Sequence, residues 1–105
     1  MQIGVIGLGR MGANISRRLM QAGHSCVVWD ANASAVQGLG KEGAQGVGSL
    51  KDVVQALQPP RAVWVMLPSG HITEQTIGEL GEMLAPGDII IDGGNTYYKD
   101  DVRRA

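Results

Sequence analysis

The segment Ile3-Gly4-Val5-Ile6-Gly7-Leu8-Gly9-Arg10-Met11-Gly12-Ala13-Asn14-Ile15 can fold in few ways. A short β-branched run turns sharply into a helical pattern, and the turn carries Gly7-x-Gly9-x-x-Gly12. Each glycine there has its own task. Gly7 permits the tight exit from a strand, Gly9 lets a diphosphate approach the backbone, and Gly12 lets the helix lie close to a sheet. The free N–H groups that open the helix then face an anion.

The rest of the chain supplies what such a turn needs around it. Gln2 to Ile6 reads as the first strand and Arg10 to Ala22 as a helix. Met11, Ile15, Leu19 and Met20 are expected to face inward, with Arg17 and Arg18 outward. Gly23 stops that helix. Ser25 to Trp29 is a second strand, so the three elements form a right-handed βαβ unit. A weaker helix, Asn32 to Lys41, can be capped by Asn32 or Ser34, although Gly38 and Gly40 disfavour its second half. Ala44 to Val47 suits a brief edge strand. Ser49 caps a helix through Ala56 or Leu57, ended by Pro59-Pro60. Arg61 to Leu67 is apolar on both faces and reads as a central strand. His71 to Leu84 is a helix with Ile72, Thr76, Leu80 and Met83 as its inward stripe. Asp88 to Asp92 is a fifth strand, Gly93-Gly94-Asn95-Thr96 a second glycine-rich turn, and Tyr97 to Ala105 the start of a last helix. Strands alternating with helices predict a doubly wound α/β fold, a parallel sheet in the order 3-2-1-4-5. Ligands bind such sheets at the carboxyl ends of the strands.

Composition narrows the function. A length of 105 residues allows one domain. A net charge of −1 gives no basic surface for nucleic acid or membrane. With 16 glycines and no phenylalanine, tight turns are favoured over a base-stacking platform. Cys26 is the lone cysteine, which excludes an internal disulfide, and no metal-ligand constellation is present. No run of about 18 apolar residues offers a membrane span. The start Met1-Gln2-Ile3 enters a strand at once, so a cytoplasmic protein without a signal peptide is expected.

Several residues could carry chemistry. Asp30 lies 18 residues past Gly12, at the end of the second strand. An acidic residue about 20 positions on can accept hydrogen bonds from the adenosine ribose. Its charge would repel a 2′-phosphate, and Ala31 and Asn32 supply no cation to hold one, so NAD is expected in preference to NADP. Asp30 could instead only cap the following helix. Arg10 could pair with phosphate oxygens or be a solvated helix-start residue, and Met11 could be core or an adenine-side contact. Leu67, Pro68 and Ser69 end the fourth strand and should pass under the ribose and nicotinamide, although Ser69 could merely cap the next helix. His71 reads better as an exposed helix-start residue than as an acid or base. Asn95 can donate and accept at once, which suits contact with both a carboxamide and a substrate hydroxyl. Asp100 and Asp101 are adjacent, point in different directions on a helix, and make a poor carboxylate pair.

The motifs Gly7-Leu8-Gly9-Arg10-Met11-Gly12, Met66-Leu67-Pro68-Ser69-Gly70 and Ile91-Asp92-Gly93-Gly94-Asn95-Thr96 with Arg103-Arg104 resemble those of the β-hydroxyacid dehydrogenases. The third resembles decarboxylating 6-phosphogluconate dehydrogenase in its short, NAD-preferring bacterial form. The resemblance implies a Rossmann-type domain in which Gly7, Leu8, Gly9, Arg10, Met11 and Gly12 bind the cofactor diphosphate. Asp30, Ala31 and Asn32 would face the adenosine ribose, Leu67, Pro68 and Ser69 the nicotinamide side, and Asn95 both nicotinamide and 6-phosphogluconate. Many members have Asn-Arg-Ser/Thr after the second strand and use NADP; Asp30-Ala31-Asn32 departs from that. Many also have serine where Thr96 stands. The resemblance further implies oxidation of a 3-hydroxyl and loss of carbon dioxide, giving ribulose 5-phosphate. The lysine base and glutamate acid of that reaction would lie beyond Ala105, in a helical domain that completes the pocket and a homodimer. No catalytic residue is then expected within this chain, which reads as truncated before that domain. Exposure of Tyr97, Tyr98 and Val102, with a frayed end or self-association, follows as an expectation. Two alternatives remain open: a cofactor domain of a hydroxyisobutyrate- or tartronate-semialdehyde-type enzyme, and a free-standing dinucleotide-binding module without catalysis.

Overall fold

A computed structural model describes residues 2–67, 70–92 and 95–98. The elements are β1 (Gln2–Ile6), α1 (Arg10–Gln21), β2 (Ser25–Trp29), α2 (Ala33–Lys41), β3 (Gln45–Gly46), α3 (Leu50–Ala56), β4 (Ala62–Val65), α4 (Gly70–Met83), β5 (Ile89–Asp92) and β6 (Asn95–Tyr98). They form one sheet in the order β3-β2-β1-β4-β5-β6. The first five strands are parallel and keep the order 3-2-1-4-5 expected from sequence. The sixth is a correction. Where a glycine-rich turn and then a helix from Tyr97 were expected, β6 runs antiparallel to β5, with Asn95 opposite Asp92 and Tyr98 opposite Ile89. Thr96, Tyr97 and Tyr98 are β-branched or aromatic and favour extended chain, a preference the helical reading overrode. The expectations placed on Gly93, Gly94, Asp100, Asp101, Val102 and the chain to Ala105 lie outside the described residues.

Strand alternation divides the apolar residues between two cores. Ile3 and Val5 of β1 and Cys26 and Val28 of β2 join Leu8, Leu39 and Ala44 on the face covered by α1 and α2. Ile6, Val27, Val63, Val65 and Ile90 join Val53, Val54, Leu57, Leu80 and Leu84 on the face covered by α3 and α4. Each fully buried valine, leucine or isoleucine among them contributes roughly 1.5–3 kcal/mol relative to exposure. The sheet is therefore covered on both faces, as a parallel sheet requires.

The helices begin and end where side chains dictate. Asn32 caps α2 by accepting the Ser34 N–H at 3.0 Å, and Ser49 caps α3 by accepting the Asp52 N–H at 3.1 Å. Gly23, with φ +94°, turns the chain out of α1. The second half of α2 forms despite Gly38 and Gly40 because Leu39 between them is buried in the core. Leu19 and Met20 of α1 and Thr76, Leu80 and Met83 of α4 face the core as expected, whereas the first residue of each expected stripe does not. The buried residues of α1 are Gly12 and Ser16, and Met11 is 66% exposed. Close approach at Gly12 sets that phase, and the Ser16 hydroxyl donates to the Gly12 carbonyl at 2.9 Å. In α4, Thr73, Thr76 and Leu80 face inward while Ile72 is 47% exposed.

One buried carboxylate ties three elements together. Asp88 is fully buried. It accepts the Arg61 N–H at 2.6 Å, the Ala85 N–H at 2.8 Å and the Arg61 Nη1 at 3.1 Å. Arg61 in turn donates through Nε to the Val54 carbonyl of α3 at 2.9 Å. Burial alone pushes the Asp88 carboxyl up. The two backbone donors and the guanidinium together outweigh it and hold the group below the usual carboxylate range.

Candidate functional site

The glycine turn sits where the neighbours of β1 part. The Gly7 N–H donates to the Trp29 carbonyl on β2 at 2.9 Å, and the Met66 N–H, just past β4, donates to the Ile6 carbonyl at 2.8 Å. Gly7 has φ +92°, and a Cβ on it would lie 2.3 Å from the Met66 carbonyl oxygen. The chain can therefore make this turn only with glycine. A Cβ on Gly12 would lie 1.9 Å from the Gly7 carbonyl oxygen, so the start of α1 is pressed onto the turn. Gly9 differs: a Cβ there would meet nothing within 4 Å and would point into open space.

Gly9 is also the N-cap of α1 and makes no side-chain capping bond, and the first turn of α1 carries no acidic residue. The N–H groups opening α1 thus keep their partial positive charge for an anion. They face a cavity of about 800 Å³ at the carboxyl ends of the strands. Gly7, Gly9, Arg10, Met11 and Gly12 form one wall, and Trp29, Asp30 and Ala31 of β2 and its exit form another. Met66 and Leu67 form the floor beside β4, with Ile72, Gln75, Thr76 and Glu79 of α4 opposite. Asp92, at the end of β5, also lines it.

The structure gathers most of the residues singled out from sequence, in different ways. Arg10, Met11, Asp30, Ala31 and Leu67 line the cavity. Leu8 contributes its side chain to the core, at 6% exposure, and its N–H to Asp30. Asn32 is exposed and caps α2. Asp30 is not the cap of that helix: one oxygen accepts the Leu8 N–H at 2.5 Å and the other the Asn32 N–H at 2.8 Å. Asn95 lies in β6 opposite Asp92. Pro68 and Ser69 lie outside the described residues, and His71 is exposed. Trp29, Ile72, Gln75, Thr76 and Glu79 were not picked out from sequence as site residues. Ile72 had been placed in the core stripe. Its spacing of four from Thr76 puts the two on one face of α4, and both line the cavity, so helical phase alone did not separate a core position from a site position.

A doubly wound parallel sheet, a glycine turn at the start of its first helix and a cavity over the strand ends define a Rossmann-type domain. The chain belongs to the family described as the NAD binding domain of 6-phosphogluconate dehydrogenase, whose model matches residues 2–105. It is 40% identical over 105 residues to the NAD(+)-dependent, decarboxylating 6-phosphogluconate dehydrogenase of Haloferax volcanii, covering 100% of this chain and 35% of that protein. It is 42% identical over 107 residues to the NADP(+)-dependent, decarboxylating 6-phosphogluconate dehydrogenase of Bacillus subtilis, covering 98% and 23%. The structure of Plasmodium falciparum 6-phosphogluconate dehydrogenase is similar with a TM-score of 0.80 at 26% identity, over 89% of this chain and 21% of that one. The chain thus spans about a third or less of the length of these relatives.

Proposed function

We propose that this chain binds the dinucleotide of a decarboxylating 6-phosphogluconate dehydrogenase, with NAD favoured over NADP. The observation that carries the reading is the placement of Asp30 and the uncapped start of α1 in the walls of one cavity. The diphosphate would rest on the N–H groups opening α1, with Arg10 beside it. Each oxygen of Asp30 accepts one backbone N–H and keeps lone pairs for the ribose hydroxyls. Its charge disfavours a 2′-phosphate, and the neighbouring Ala31 offers no compensating cation. Leu67 with Pro68 and Ser69 would support the nicotinamide half, and Asn95 would meet both the nicotinamide and 6-phosphogluconate.

When bound, the nicotinamide supplies the hydride acceptor for oxidation of the substrate's 3-hydroxyl, after which carbon dioxide is lost and ribulose 5-phosphate remains. The residues of this chain bind and orient. In this reading the groups that move protons would come from a part of the dehydrogenase that these residues do not include, and a cytoplasmic setting fits that metabolic role. Calorimetry of this chain with NAD, NADP and ADP-ribose tests the cofactor half of the reading, and heat from none of the three would remove it. Turnover by the full parent tests the rest. Preference for hydroxyisobutyrate over 6-phosphogluconate would move the chain to the neighbouring class of hydroxyacid enzyme.

Binding should also be visible optically. Trp29 lines the cavity, whereas Trp64 packs against the core under α1 and α2. NAD should therefore quench indole emission through Trp29, and Trp29→Phe should abolish the quench while leaving Trp64 emission unchanged. Equal quenching in both proteins would place the ligand elsewhere.

A further inference from the structure

We propose that Asp30 is also a positioning residue: its carboxylate holds the glycine turn in diphosphate-binding shape before any ligand arrives. The proposal rests on the cofactor reading above and adds to it a task on the protein's own backbone.

The ladder between β1 and β2 shows why such a group is needed. Ile6 pairs with Trp29 as the last register partners, and the Gly7 N–H still reaches the Trp29 carbonyl at 2.9 Å. Beyond that rung the backbones diverge toward α1 and α2. The next donor, the Leu8 N–H, sits beside a side chain buried at 6% exposure and has no strand opposite it. A donor left unpaired there would cost stability and free the turn to move. The Asp30 carboxylate takes the place of the missing strand and accepts that N–H at 2.5 Å. Its second oxygen accepts the Asn32 N–H at 2.8 Å, which fixes the plane of the carboxylate. Asn32 itself caps α2 through the Ser34 N–H. One side chain thus links the turn at the start of α1 to the turn at the start of α2. With Leu8 anchored, Gly9 and the amides after it are presented to the cavity in a fixed direction.

The proposal separates sharply from a ribose-only role because the two act oppositely on a suitable probe. The probe is 2′,3′-dideoxy-ADP, a diphosphate whose ribose lacks the hydroxyls Asp30 would recognise. Removing a nearby negative charge should strengthen binding of that anion if Asp30 serves only the ribose. Removing the anchor of the turn should weaken it. Competition calorimetry on the 105-residue wild type, Asp30→Ala and Asp30→Asn, with NAD and with 2′,3′-dideoxy-ADP, reads both effects. Asp30→Ala is expected to weaken the dideoxy probe by about tenfold or more, the effect of one charge-assisted backbone bond. Asp30→Asn keeps one acceptor oxygen and should lose less. Amide exchange at Leu8 in the unliganded chain should be slow in wild type and faster in both variants. This measurement also decides the matter if Asp30→Ala does not fold. Unchanged or tighter binding of the dideoxy probe, with NAD binding weakened, would overturn the positioning role and leave the cofactor reading standing. A freely exchanging Leu8 amide in wild type would do the same. Failure of wild type to bind either probe would remove the cofactor reading, and the proposal with it.

Discussion

Adding one methyl group at Gly12 should strongly destabilise the domain, whereas the same methyl at Gly9 should leave it folded and poor at holding a dinucleotide. The Cβ of Gly12→Ala would stand 1.9 Å from the Gly7 carbonyl oxygen and 3.0 Å from its carbon. Those are backbone atoms, and Gly7 is itself pressed against Met66, so nothing there can yield cheaply. A cost above about 3 kcal/mol is expected, a large part of the roughly 5–15 kcal/mol that holds a domain together. Gly9 has φ −64°, which alanine adopts freely, and open space around the new methyl. Gly9→Ala should shift stability by no more than about 0.5 kcal/mol. Its methyl projects where the diphosphate would lie, and NAD affinity should fall at least about tenfold, or about 1.4 kcal/mol. Circular-dichroism melts and calorimetry on the two proteins check both halves. A Gly12→Ala protein that melts with the wild type would contradict the packing described for α1, and an unimpaired Gly9→Ala protein would contradict the path of the diphosphate.

The second large effect is expected at Asp88. Its carboxylate is buried and accepts three donors, so Asp88→Asn should cost about 3 kcal/mol by breaking a buried pair with Arg61. For a domain of this size that lowers the melting temperature by on the order of 10 °C or more. The same group gives the fold a pH dependence of definite sign. Its folded-state pKa lies below the unfolded value of about 3.9. Its stabilisation is therefore complete above that value and is lost as pH falls from there through the folded pKa. Denaturation series between about pH 6 and pH 3 should show wild type losing stability faster than Asp88→Asn at the acid end. Parallel curves would assign the acid sensitivity to other carboxylates.

Much of this architecture is legible in the residues because local and global preferences agree. The Gly7-to-Gly12 spacing, the caps Asn32 and Ser49 and the apolar run in β4 each point to the element that forms. The phases of α1 and α4 were less legible, since hydrophobicity alone placed Met11 and Ile72 inward. Close backbone approach at Gly12 rotates Met11 out, and small residues, Ser16 in α1 and Thr73 in α4, occupy the buried positions. These are polar side chains that need a partner, as Ser16 finds in Gly12, and that pairing is invisible to a hydrophobic period. Asp88 was hidden for a similar reason. An acid at the head of a strand carries no local mark of burial, and only the fold brings Arg61 and Ala85 around it. In the site, Asp30 was legible from spacing, while its bond to Leu8 was not, because that bond joins segments whose proximity arises only once β1 and β2 pair.

The contact between Gly7 and Met66 has a consequence for the order in which the molecule assembles. β1, α1 and β2 are neighbours in sequence and can associate early, but β1 also pairs with β4, Gly4 facing Val63 across a long stretch of chain that carries α1 to α3. Closing that stretch costs entropy before any contact repays it, which makes it a slow event. The phosphate-facing turn therefore forms from the first third of the chain, whereas its floor arrives only when β4 docks. In refolding, helical signal should precede competence to bind nucleotide. A dinucleotide that binds only the finished site would then draw the last step forward by mass action, acting on the folding equilibrium of the domain that holds it.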